Sequence, residues 1–152
     1  MPTHHDGPAR ERRALDAFIK LARATGTVEA RLAAHLKGEG LTQPQLAVLE
    51  ALHHLGPLSQ TELGAKMLRT GGSVTSLVDH LERKGLVERR RGEPDRRVCR
   101  LHLTAVGRRT IRRVFPRHAA AVADAFSGLS AAEQEELGRL CRKLGLDLAG
   151  RE

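Results

Sequence analysis

Two short helical patterns separated by one tight turn constrain this chain more than any other feature. Ser59 and Glu62 have the spacing of a capping box, which opens a helix running to about Leu68. Arg69-Thr-Gly-Gly72 reads as a turn. From about Gly72 to Lys84, Val74, Leu77, Val78 and Leu81 recur at helical spacing, and Gly85 stands where a left-handed stop is wanted. Two short helices joined by a glycine-containing turn form a helix–turn–helix. Strand-length stretches follow at 86–91 and 98–103, with Gly92-Glu-Pro-Asp-Arg-Arg97 as the tip between them. In the second strand, period-2 alternation turns Cys99, Leu101 and Leu103 inward and Val98, Arg100 and His102 outward. A hairpin directly after a helix–turn–helix is a wing.

The flanks are helical. Residues 1–9 read as a loose polar tail. A long helix spans about 10–37, with Leu15, Phe18, Ala22, Leu32 and Leu36 at near-heptad spacing. Gly26 weakens it and Gly38-Glu-Gly40 ends it. Thr42 with Gln45 forms another capping box, Pro44 falls in the tolerated first turn, and Gly56-Pro57 closes that helix. Thr104 caps a helix reaching about Phe126, in which Pro116 should introduce a bend. Its Ile111, Phe115, His118, Val122, Ala125 and Leu129 form a seam. Ser130 and Glu133 start a last helix lined by Leu137, Leu140, Leu144 and Leu148.

The predicted fold is therefore mainly α with a small β-hairpin: a winged helix–turn–helix flanked by N- and C-terminal dimerisation helices. The boundaries are a tail at 1–9, a dimerisation helix at 10–40, the winged helix at 41–104 and dimerisation helices at 105–152. The flanking helices carry more apolar seam than a small winged helix can cover, so a two-fold dimer is the economical arrangement.

Charge narrows the partner. Between Ser59 and Arg113 there are fourteen Lys and Arg against six Asp and Glu, a surplus of eight. The whole chain has 26 against 18, the same surplus, so everything outside that span is neutral. A basic insert in a neutral scaffold suits a polyanion, because neutralising phosphates releases condensed counterions. The chain has no Trp, no Tyr and three Phe, too few rings to stack the bases of a single strand. Double-stranded DNA is the better match. No apolar run approaches the ~20 residues needed to cross a bilayer, and the N-terminus lacks the pattern of a signal peptide. Two cysteines form no disulfide framework, so a cytoplasmic setting is expected. The eight histidines show no convincing metal-ligand spacing. No nucleophile–base pair or phosphate loop is visible, so neither a cofactor nor enzymatic activity is expected.

Three stretches resemble the MarR family of bacterial winged-helix regulators. They are Leu41-Thr-Gln-Pro-Gln-Leu-Ala-Val-Leu49, Val74-Thr-Ser-Leu-Val-Asp-His-Leu-Glu-Arg-Lys-Gly-Leu-Val87 and Asp95-Arg-Arg-Val-Cys-Arg-Leu-His-Leu-Thr-Ala-Val-Gly107. The last is the most specific, with Asp-Arg-Arg, a strand, then Leu-Thr and a Gly three residues on. The resemblance implies a homodimer on a pseudo-palindromic operator, one recognition helix per half-site. It assigns recognition to Ser73, Thr75 and Ser76, with His80 one turn further. Some relatives place Arg where this chain has Ser76, which leaves the operator sequence open. In the wing, Asp95 would orient Arg97 into a minor groove, whose narrow, negative stretches attract Arg. Arg89, Arg90, Arg91 and Arg96 would lie over phosphates, and Arg69 is also expected to bind DNA.

Many members of the family are repressors released by small aromatic acids, quinones or oxidants. Here Phe18, His53 and Phe115 are the expected lining of an effector pocket between the dimerisation helices and the winged helix. The family's peroxide sensors keep a cysteine near the start of the first helix, where this chain has none. Cys99 and Cys141 are expected to be buried thiols, with a redox role for either as the alternative. A further alternative is a protein-interaction module whose basic face meets acidic partners.

Overall fold

The computed structural model describes residues 4–67, 71–92 and 97–150. Among them lie α1 (Ala9–Lys37), α2 (Gln43–Leu55), β1 (Leu58–Ser59), α3 (Gln60–Met67), α4 (Gly71–Arg83), β2 (Val87–Arg91), β3 (Cys99–Leu103), α5 (Ala105–Ala125) and α6 (Ala131–Ala149). The chain is mainly α-helical, and the helix–turn–helix is α3–α4 with a wing built from β2 and β3.

Each start signal closes as the sequence requires. The Thr42 hydroxyl accepts from Gln45 N at 3.3 Å, and the Gln45 side chain accepts from Thr42 N at 3.1 Å. Ser59 and Glu62 exchange the same pair at 3.2 and 2.7 Å, as do Ser130 and Glu133 at 3.3 and 2.7 Å. Such caps satisfy amide protons that no carbonyl within the helix can reach. At the end of α4, Gly85 has φ +69°, the left-handed region that a Cβ disfavours.

The sheet has three antiparallel strands in the order β1–β3–β2. The third strand was not expected. β1 is two residues long, pairing Leu58 with Leu101 and Ser59 with Arg100, too short to show an alternation in sequence. The inward face of β3 also differs from expectation. Leu101 and Leu103 are buried, but Cys99 is exposed. It pairs with Arg91 at the far end of the hairpin, where the wing has left the core behind.

The core lies between α2, α4, α5 and the root of the sheet. Leu46, Leu49, Val74, Val78, Leu81 and Ile111 are essentially inaccessible to solvent. Burying each such side chain contributes about 1.5–3 kcal/mol. The head of α5 joins this core at very close range. Thr104 accepts from Gly107 N at 2.9 Å and donates from its hydroxyl to Gly85 O at 2.6 Å, while its amide donates to Leu86 O at 3.1 Å. A Cβ on Gly107 would stand 2.0 Å from Leu86 O, so only glycine allows this approach.

The flanking helices leave the body. In α1 only Leu32 and Leu36, near its end, are buried; Leu15, Phe18 and Leu21 are exposed. Every residue of α6 from 131 to 148 is exposed, including its four seam leucines. Cys141, expected to be buried among those leucines, is therefore exposed in the single chain too.

Where α1 crosses α5, His118 is buried and its ring lies 6.4 Å from that of His35. Burial first, and His35 second, push His118 below the ordinary 6.5, with Glu50 pulling the other way. A depressed imidazole pKa makes the unfolded chain the better proton acceptor. This part of the stability is complete above the unfolded value and is lost as pH falls through it toward the folded one. The thermal midpoint should thus drop between about pH 7.5 and pH 5.5, and less so in His118→Leu. His102, also pushed down by burial, supplies part of what remains in the variant. Equal slopes in both proteins would refute the assignment.

Candidate DNA interface

α4 presents one face to the core and the other to solvent. With Val74, Val78 and Leu81 fully buried, helical geometry leaves Ser73, Thr75, Ser76 and His80 exposed. Four of the residues expected to read DNA therefore share one accessible surface. Ser73, Ser76 and His80 also border a shallow depression of about 340 Å³ against Thr42 and Pro44 at the start of α2. Arg83 donates to His80 Nδ1 at 3.0 Å. Thr75 Oγ1 accepts from Gln60 Nε2 at 2.5 Å, so α3 helps to hold a side chain of α4.

The wing separates its arginines by the pleat. Val87 and Arg89 face α4, whereas Arg90 and Glu88 take the other face. Arg90 stands directly across from Arg100 on β3. Like charges opposite one another cost stability. Arg90 pairs with Glu88, and Arg100 reaches Glu62 at 3.5 Å and Pro57 O at 3.2 Å. Arg91 and Arg97 are exposed beyond them. Arg69, Asp95 and Arg96 lie outside the described residues.

Arg89 is placed differently from the rest. Its side chain is 27 % exposed and forms ion pairs with Asp79 at 2.6 Å and Glu82 at 2.5 Å, both on α4. Partial burial works against its charge, but the hydrogen bonds to Asp79 and Glu82 outweigh it and raise the guanidinium pKa. The sequence reading puts this arginine over phosphates; in the structure its guanidinium is held by two acids of α4. The signal for this pairing is the two acids three apart on α4, facing a strand arginine of matching pleat. Arg113 likewise pairs inward, with half-buried Glu39 after α1, and Arg117 joins it at 3.2 Å. Glu39 is held below the usual carboxylate range, first by the Arg113 hydrogen bond.

His53 and Phe115 both lie beside His54, their ring centroids 5.0 and 5.3 Å from its own. An open groove of about 770 Å³ runs between α1, α2 and α3, bordered by Glu29, Gln43, Glu50, His54 and Lys66. Neither Phe18, His53 nor Phe115 lines it. Phe18 is 66 % exposed on α1. Phe115 meets His54 edge-on at 5.3 Å, and it is His54, one residue after His53, that borders the groove. One residue is about 100° of helix rotation, which a loose apolar pattern does not resolve. No group of three His, Cys, Asp or Glu among the described residues could hold a metal.

The MarR family model matches residues 41–99, which span α2 to the second wing strand. Across 134 residues the chain is 36 % identical to the helix–turn–helix transcriptional regulator YkoM of Bacillus subtilis, covering 88 % of this chain and 87 % of that one. The chain belongs to the MarR family. MarR-family architecture extends to the flanking helices. AbsC of Streptomyces coelicolor, a MarR-family transcriptional regulator, superposes with a TM-score of 0.85 over 96 % of this chain and 99 % of its own, at 22 % identity. A MarR variant from Escherichia coli, solved with operator DNA, superposes with a TM-score of 0.76 over 82 % of this chain and 89 % of its own, also at 22 % identity. MarR-family regulators bind DNA. Here the second helix of the helix–turn–helix is α4 and the wing is β2–β3.

Proposed function

We propose that this MarR-family protein is a homodimeric regulator of transcription that binds a pseudo-palindromic duplex and represses until a small effector releases it. One observation carries the DNA-binding part. Ser73, Thr75, Ser76 and His80 share the solvent face of α4, and the exposed Arg91 and Arg97 extend from the adjacent wing. Short hydroxyls suit base edges and phosphates, and arginine suits a narrow minor groove. Asp95, Arg96 and Arg69, outside the described residues, are assigned to DNA binding by the family resemblance. The dimer is supported by the uncovered leucines of α1 and α6. Two reading helices about 34–36 Å apart would engage half-sites one helical turn apart. A regulator of a bacterial chromosome works in the cytoplasm.

Duplexes recovered from a random pool should contain an inverted repeat with that spacing. A recovered motif without two-fold symmetry would overturn the dimeric reading. Arg97→Ala should weaken binding to the recovered duplex and lower the salt slope by about 0.9 for each phosphate that Arg97 neutralises. Unchanged affinity across several salt concentrations would remove Arg97 from the interface.

The effector part rests on the groove between α1 and the winged helix, whose size lies within the range of small-molecule sites. An effector must prefer the spacing of reading helices that does not fit DNA, or it shifts nothing. Phenolic and quinone-like compounds are the class proposed. Titration of the protein–duplex complex with simple phenols and quinones tests it, and release by none of them would discard that class.

A further inference from the structure

One guanidinium beneath the wing ties three elements together. Arg89 on β2 donates to Asp79 and Glu82 on α4, and at 3.5 Å to Gln60 Oε1 at the start of α3. Gln60 passes the contact on, donating from Nε2 to the Thr75 hydroxyl on the reading face. An amide has an accepting end and a donating end. With Arg89 at its oxygen, the nitrogen of Gln60 is the end that meets Thr75. The run is wing strand, guanidinium, amide, hydroxyl.

Charge argues against Arg89 as a phosphate contact. Two carboxylates surround one guanidinium, so the cluster is net negative within a strongly basic segment. Drawing Arg89 away to a phosphate would leave both carboxylates uncompensated beside a polyanion. Its strand position also aims it at α4, while Arg90 and Arg91 are exposed.

We propose that Arg89 and Gln60 are positioning residues, which fix the roll of α4 against the wing and the rotamer of Thr75 and so set sequence discrimination without touching the duplex. This rests on the DNA-binding reading above. The physical basis is a difference in range. A base-edge hydrogen bond requires about 2.7–3.2 Å between heavy atoms, whereas attraction between arginine and phosphate decays over a screening length of about 8 Å. A slightly rolled helix therefore keeps its hold on any DNA and loses its preference among sequences.

The test uses the full chain, a duplex recovered from the random pool and a scrambled duplex of the same length, each over a range of salt. Arg89→Ala should reduce the preference for the recovered duplex over the scrambled one about tenfold, the worth of one good base contact, beyond whatever loss the two uncovered carboxylates cause equally on both duplexes. Arg89→Lys keeps the charge but lacks the planar fork needed to span two carboxylates and an amide, so it should show the same reduction. Gln60→Ala changes no charge and removes no member of the core cluster; it should lower the preference several-fold.

Equal weakening on both duplexes, with the slope reduced by about 0.9, would make Arg89 a phosphate contact and overturn the proposal. Full preference in Arg89→Lys, or in Gln60→Ala, would overturn it as well. If Arg89→Ala does not fold, Gln60→Ala decides. A wild-type chain that binds no duplex would instead remove the DNA-binding reading on which this one stands.

Discussion

Glutamate at both Leu140 and Leu144 should yield a folded monomer whose affinity for the recovered duplex is lower by about 100- to 10,000-fold. These leucines are 48 % and 50 % exposed in the single chain, on a helix that is exposed throughout. In a two-fold pair each is buried twice, and each burial contributes about 1.5–3 kcal/mol. Carboxylates in that seam reverse the sign, since burying an unpaired charge is costly. The winged-helix core contains no residue of α6, so circular dichroism and the hairpin should survive. What disappears is the link between two reading heads, which makes the second half-site contact an intramolecular event. Sedimentation at micromolar concentration checks the first claim and duplex binding the second. A dimer that persists with full affinity would mean that the interface lies elsewhere.

Gly107→Ala should destabilise by about 2–4 kcal/mol, the upper range for forcing atoms into a packed site, and lower the thermal midpoint by about 4–16 °C. The added methyl has no space. It would meet Leu86 O at 2.0 Å and Leu86 C at 3.0 Å, and backbone cannot swing aside as a side chain can. To relieve the clash, α5 must withdraw from the β2 root, and that breaks the Thr104 hydrogen bonds to Gly85 and Leu86. Gly26→Ala is the matched control. Nothing lies within 4 Å of a Cβ there, and in mid-helix alanine is favoured by about 1 kcal/mol. The same chemical change should thus raise the midpoint at one site and lower it at the other. A stable Gly107→Ala would show that the junction is looser than its hydrogen bonds imply.

Local signals are legible in the sequence where the chain settles its own backbone. Capping boxes at Thr42, Ser59 and Ser130 and the left-handed Gly85 are short-range events, and each appears as its residues require. The exposed face of α4 is legible for the same reason, because three buried positions fix the helix phase. Legibility fails where a third element intervenes. Whether Cys99 is covered depends on how far the hairpin projects past α4, which alternation within one strand does not encode. Arg89 looks like its neighbours Arg90 and Arg91 until the pleat sets it against Asp79 and Glu82 from another helix. His53 and His54 are adjacent in sequence, and only the turn of α2 against α1 and α3 sets which of them borders the groove.

The Thr104–Gly107 junction limits how such a molecule can change shape. Its bonds fasten the head of α5 to the loop that terminates α4, so that end of α4 cannot be displaced while the long helix stays put. Each winged helix must travel as one block, with α5 as its handle. Farther along that handle, Pro116 removes a rung from the backbone ladder, the place where bending α5 would break the fewest hydrogen bonds. A pull applied at the far ends of two such handles would open or close the gap between the blocks like the arms of calipers.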